Sequence, residues 1–320
     1  IASRVDPERY QELTLNCCRR ELDEWSDFRI AIDRWAESGG MGSRPINPQD
    51  GILLSRVLVR WGCNALSGLQ QMIDHPEADN FVFPAIATIL QQPWRSRLTS
   101  TRSNERFDGA NMASMCNEVD CAMRQPTPEL QERTDEVVLK LTEQLASALR
   151  ILKQPTTADS IQKRLASRID VLVLALARIP STLAAAPVLE AIVGGYVSDS
   201  TATETMEALL IQGLVLEDQR PAARLCAIWE GMAGIRWQDE SQLYRFRKLS
   251  QVILRLPHAL LVNPATHYLD KWIAASNNYE VARHLAASRS SESFGMLCHM
   301  LKESNVDSRF GESVAHNIVA

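Results

Sequence analysis

Residues 171–184 read VLVLALARIPSTLA. Seven apolar residues run unbroken from Val171 to Ala177, Arg178 follows, and Ile179-Pro180 closes the run. There is no polar–apolar alternation, so a half-buried strand is excluded. Upstream, Thr157, Asp159 or Ser160 offers an N-cap and Pro180 forbids continuation, so the spacing predicts a helix ending at Ile179. Two further stretches end the same way: LLSRVLVRWGCNAL from Leu53 and LSQVILRLPHALL from Leu249. Arg60-Trp61-Gly62, Arg178-Ile179-Pro180 and Arg255-Leu256-Pro257 mark the three endings. The arginines lie 118 and 77 residues apart, close to three and two times a period of about 39, within the usual range for two-helix repeats. A helix pair of this kind cannot bury its apolar face alone, so neighbours must stack.

Helix signals recur on both sides. Asp6-Pro7-Glu8 starts a helix through Leu13, Cys17, Leu22 and Trp25, and Ser26 reads as the cap of a second one stopped by Gly39-Gly40. Helices are expected at Leu66–Ile73 and Phe81–Leu90, the latter broken by Pro93. Thr127-Pro128 opens a long one to Lys153 with Val137, Val138, Leu141, Leu145, Leu149 and Leu152 on its apolar face. Further helices are expected at Leu183–Val193, Thr203–Leu216, Pro221–Met232, Glu240–Leu256, Ala265–Ser276, Tyr279–Ala287 and Ser293–Glu303. No window has strand character. The fold class expected is all-α, with stacked antiparallel helix pairs like an α-solenoid; an irregular helical bundle is the alternative. Residues 1–94 form the N-terminal helical pairs, 95–108 an exposed loop and 109–320 a helical repeat region.

Composition narrows the function. The 320 residues are 45% hydrophobic and 23% charged, with net charge -5. A core can form, and the acidic balance argues against broad nucleic-acid binding. Position 1 is Ile and no leader pattern follows, which reads as a processed or excised start. The run Ile169 to Ile179 is too short to span a membrane. Seven cysteines at irregular spacing read as reduced thiols, suiting a cytosolic site of action.

The helix endings at Arg60, Arg178 and Arg255 resemble those of the SKWP type III effectors of plant-pathogenic bacteria and, more broadly, HEAT and armadillo repeats. That resemblance implies a helical virulence protein secreted by a bacterium into a host cell, where it contacts host proteins. It carries over no catalytic residue.

Chemistry-bearing residues are few. Cys116 and Cys121 flank Glu118 and Asp120, but no second ligand pair follows, and the acids would raise a thiol pKa. Cys17-Cys18 precede Arg19-Arg20; adjacent helix positions face differently, so one is core and one is edge. Five of six histidines are late (His258, His267, His284, His299 and His316), with no metal-ligand spacing. No phosphate loop or GxSxG is present. No metal, cofactor, small-molecule substrate or catalytic residue is therefore assigned. Arg95, Arg97, Arg102 and Arg106 alternate with Ser and Thr in the polar stretch Trp94 to Asp108 and suit an acidic partner. Arg245, Arg247 and Lys248 read as a solvated face. Most Trp residues should be core, whereas Trp94 and Trp237 sit among polar residues at helix ends and are the aromatic anchors expected of an interface. The reading is an interaction scaffold binding a protein; the alternative is a cysteine-dependent enzyme on a helical fold, such as a bacterial ubiquitin ligase.

Overall fold

The computed structural model describes residues 7–41, 43–45, 65–99, 128–154, 159–212, 219–234, 240–253, 256, 271, 282, 285–286 and 291–303. All regular structure among them is helical. The helices are α1 (Pro7–Glu37), α2 (Leu66–Gln70), α3 (Val82–Thr99), α4 (Pro128–Leu152), α5 (Asp159–Arg178), α6 (Thr182–Val193), α7 (Asp199–Ile211), α8 (Arg220–Ala233), α9 (Glu240–Ile253) and α10 (Ser291–Glu303), with a 3-10 turn at Ala78–Asn80. The all-α expectation therefore holds. The chain divides into two compact units, Ile1–Val188 and Leu189–Ala320, and the division falls inside α6 next to Pro187. The Leu53 stretch up to residue 64, the expected helices Ala265–Ser276 and Tyr279–Ala287 (apart from Lys271, Ala282, Leu285 and Ala286), and residues 100–127 lie outside the described residues.

In the first unit α5 packs against α4 and α3, and α2 and the 3-10 turn pack on α3. The core follows most of the stripe that the sequence marks: Val137, Val138, Leu141 and Leu145 of α4 with Leu172, Val173 and Leu176 of α5 and Ile179 just beyond it are buried, as are Phe83, Ile86 and Ile89 of α3, whereas Leu149 and Leu152 of α4 are half-buried. In the second unit α9 packs on both α7 and α8. Trp229 of α8 and Phe246 of α9 stack with centroids 5.1 Å apart. The Trp229 indole N–H donates to Ser250 Oγ at 2.8 Å, and that hydroxyl donates to the Phe246 carbonyl at 2.8 Å. The buried indole thus has the partner its polar edge requires.

Several boundaries differ from expectation. α1 runs 31 residues without a break at Ser26. Leu22, Trp25, Phe28, Ile32 and Trp35 keep helical spacing across that serine, so the apolar face outweighs a residue that caps only where a chain bends. Gly39 and Gly40, at φ 74° and 77°, end the helix, and the Gly40 N–H returns to the Trp35 carbonyl. Pro93 does not stop α3: the helix continues to Thr99, so residues 95–99 of the expected loop are helical. Proline removes one backbone bond, costing about 3 kcal/mol in a helix interior, and the preceding buried face of Phe83, Ile86, Ile89 and Leu90 anchors the helix regardless. α2 ends at Gln70 rather than Ile73, and α7 starts at Asp199 rather than Thr203 because Ser198 caps it, its Oγ accepting from the Thr201 N–H. Trp229 is core, whereas Trp25 and Trp35 are half-buried.

A regular spacing emerges. The helices α5, α7 and α9 begin at 159, 199 and 240, 40 and 41 residues apart, and α6 and α8 begin at 182 and 220, 38 apart. Two of the endings quoted from the sequence are alike. Ile179 and Leu256 are both buried, and each N–H bonds the carbonyl three residues back, Leu176 at 3.2 Å and Ile253 at 2.8 Å.

Candidate functional site

Among the described polar groups, the densest cluster forms where the sequence DHPEADN, residues 74–80, joins α2 to α3. Pro76 and the 3-10 turn fold this connection tightly, so its carbonyls and acids point at neighbouring helices. Glu77 is buried, with 1% of its side chain exposed. Its Oε1 accepts from Arg164 of α5, and its Oε2 accepts from Arg29 of α1 and from the Asn80 amide, both at 3.1 Å. Arg168, one turn beyond Arg164, donates to the Pro76 carbonyl at 2.6 Å, to Asp79 Oδ1 at 3.3 Å and to Gln144 Oε1 of α4 at 3.1 Å. Its guanidinium lies 5.2 Å from the Phe83 ring centroid. Gln144 in turn donates to Asp74 at 2.8 Å. The Glu77 N–H donates to His75 Nδ1 at 3.2 Å, leaving Nε2 as the edge that faces Asp23 Oδ1 of α1 at 3.6 Å.

Burial sets the electrostatics of the Asp79–Arg168 pair. It pushes the Asp79 carboxyl above its ordinary value, with Arg168 pulling the other way. The same burial lowers Arg168, with Asp79 opposing it. Both shifts report the cost of taking charge out of water, which the guanidinium's hydrogen bonds offset. Both oxygens of Glu77 are engaged and the side chain is closed to solvent, so the carboxylate holds helices and has no opening toward a substrate. The arrangement is a clamp on a connection, gripped from α1, α4 and α5.

The side chains expected at the interface lie outside the described set. Trp94, Arg95 and Arg97 fall on the helical backbone of α3 with side chains outside the described set; Arg102, Arg106 and Trp237 lie outside the described residues altogether. The sequence reading missed Glu77, Asp79, Arg164 and Arg168. One signal was available: two arginines four apart on α5, which point the same way and call for a shared acidic partner.

The thiols follow their burial. Cys17 is exposed and Cys18 is buried, as adjacent helix positions require. Burial, reinforced by Glu21, pushes Cys18 up to about 12. Burial and Glu230 push Cys226 up to about 11. Cys298 is half-buried beside exposed His299. Cys63, Cys116 and Cys121 lie outside the described residues. Among the described residues no three His, Cys, Asp or Glu groups converge as metal ligands. Arg245 and Arg247 of α9 are exposed, while Lys248 reaches Glu204 and Glu207 of α7 at 3.6 and 3.8 Å. No described helix is long and apolar enough to cross a membrane.

Compared with known proteins, the chain matches no family model, no curated protein and no solved structure.

Proposed function

We propose that the chain is a stack of helix pairs acting as a scaffold that binds another protein. The observation that carries this reading is the recurrence of helix starts at 159, 199 and 240, with further starts at 182 and 220 between them. Stacked pairs consume the apolar stripes in packing and leave their rims and helix ends for partners. Trp94, Trp237, Arg95, Arg97, Arg102 and Arg106 are the residues assigned to that contact, being the types in which interface energy concentrates. The resemblance of the helix endings to bacterial effector repeats supports a host protein as the partner and a host cytosol as the place of action. The high pKa values of Cys18 and Cys226 disfavour thiolate at either position and weigh against the thiol-enzyme alternative there.

The test is capture of a crosslinked partner by the intact chain and by folded variants. Trp237→Ala, Trp94→Ala and the double change Arg95→Ala with Arg97→Ala should each weaken capture, whereas single Cys→Ser changes should not. A folded Cys→Ser chain that still captures its partner but has lost its biological effect would make the protein an enzyme.

A further inference from the structure

Of the helices that grip the Glu77 cluster, α5 and α1 hold it unequally. From α5 come Arg164 and Arg168; from α1 come Arg29 on Glu77 and Asp23 at the His75 edge. Contacts of α1 run in register along the same segment: Leu15 against Gly68, Arg19 on Gln71 at 3.0 Å, and Asp23 at His75. The approach is close, since a Cβ at residue 68 would sit 2.4 Å from a Leu15 methyl. Among the described side chains of α1, those buried are Thr14, Cys18, Glu21 and Leu22, two apolar and two polar, and none lies between Asp23 and Glu37. Among the described residues, Trp25 Nε1 and Arg29 Nε are buried atoms with no hydrogen-bond partner. An unsatisfied buried donor loses its hydration on docking and regains it on release. The faces joining α3, α4 and α5 are instead apolar and fully buried.

We infer that α1 is a strap that opens locally while α3, α4 and α5 stay folded, uncovering the Gly68 face of α2. Glu77 keeps Arg164 and Asn80 when Arg29 leaves, so the 74–80 connection stays docked on α5. Opening of this kind is sub-global, at a free energy below that of unfolding.

Hydrogen exchange of the intact chain, read by mass spectrometry, tests this together with labelling of Cys18 in a Cys17→Ser chain. Amides of α1 between Glu12 and Trp35 should exchange about a hundred-fold faster than those of Leu172 to Ala177, within the spread of local stabilities in a folded domain. Cys18 should react at the rate set by the α1 opening. Arg29→Gln should accelerate both by about ten-fold through loss of the part-buried pair and leave α5 unchanged. Exchange of α1 and α5 together in the wild type would overturn the inference, and so would an Arg29→Gln chain that loosens both alike. The wild-type comparison decides the matter even where Arg29→Gln does not fold.

Discussion

Glu77 concentrates the polar contacts of the first unit, and nothing local announces it. Its partners Arg29 and Arg164 lie 48 and 87 residues away, so only the fold brings them together. Hydrophobic periodicity, the signal that reveals cores, is blind to ion pairs of that separation. Glu77→Ala strands two guanidiniums. Breaking a fully buried pair costs about 3–5 kcal/mol; because Arg29 and Arg164 are part-exposed, urea unfolding should show a smaller loss, about 2–3 kcal/mol. An unchanged midpoint would mean that the clamp holds nothing. Asp79 makes a prediction of defined sign. Its folded pKa is raised, so over a window above the ordinary value of 3.8 the folded chain holds a proton that the unfolded chain has released. The stability from this group is full below that ordinary value and is lost as pH rises through the raised one. Against Asp79→Asn, which lacks the group, the wild type should therefore lose stability as pH rises across the mildly acid range; parallel curves would contradict the shift.

At the scale of elements, the sequence was legible where chain chemistry forces an outcome. Pro7 and Pro128 open helices at their first positions, and Gly39-Gly40 close one through positive φ. It misled where a residue permits a boundary without imposing it, as Ser26 does within α1, or where packing overrides a breaker, as at Pro93. Ser198 is the opposite case: a cap unnoticed because the apolar period begins only at Ala202 and Met206. Ser198→Ala should cost about 1 kcal/mol, as loss of an N-cap typically does, seen as a lowered thermal midpoint of the second unit. Ser250→Ala removes the acceptor of the buried Trp229 indole and should cost about 1–3 kcal/mol. Its chemical denaturation should lose that much, with Trp229 fluorescence as the local probe. A neutral result at Ser250 would show that the indole finds another acceptor.

For the whole molecule, the all-α class was legible, because apolar runs that each end in a stop recur along the chain. The Arg178 and Arg255 endings signalled a period of about 39, and alternate helix starts between 159 and 240 are spaced 38 to 41 residues apart. What the partner touches was not legible in the same way. A binding rim is chosen by another molecule's surface, and its residues carry no periodic mark. The scaffold reading rests on the pairs, so the pairs are what to test. Backbone carbon chemical shifts of the intact chain, assigned from residue 155 to 256, do this most directly. The account predicts helical runs beginning at 159, 182, 199, 220 and 240, with breaks at Pro180 and at Gly194-Gly195. A helical run continuous across Gly194-Gly195, or strand-type shifts anywhere in the five segments, would contradict it.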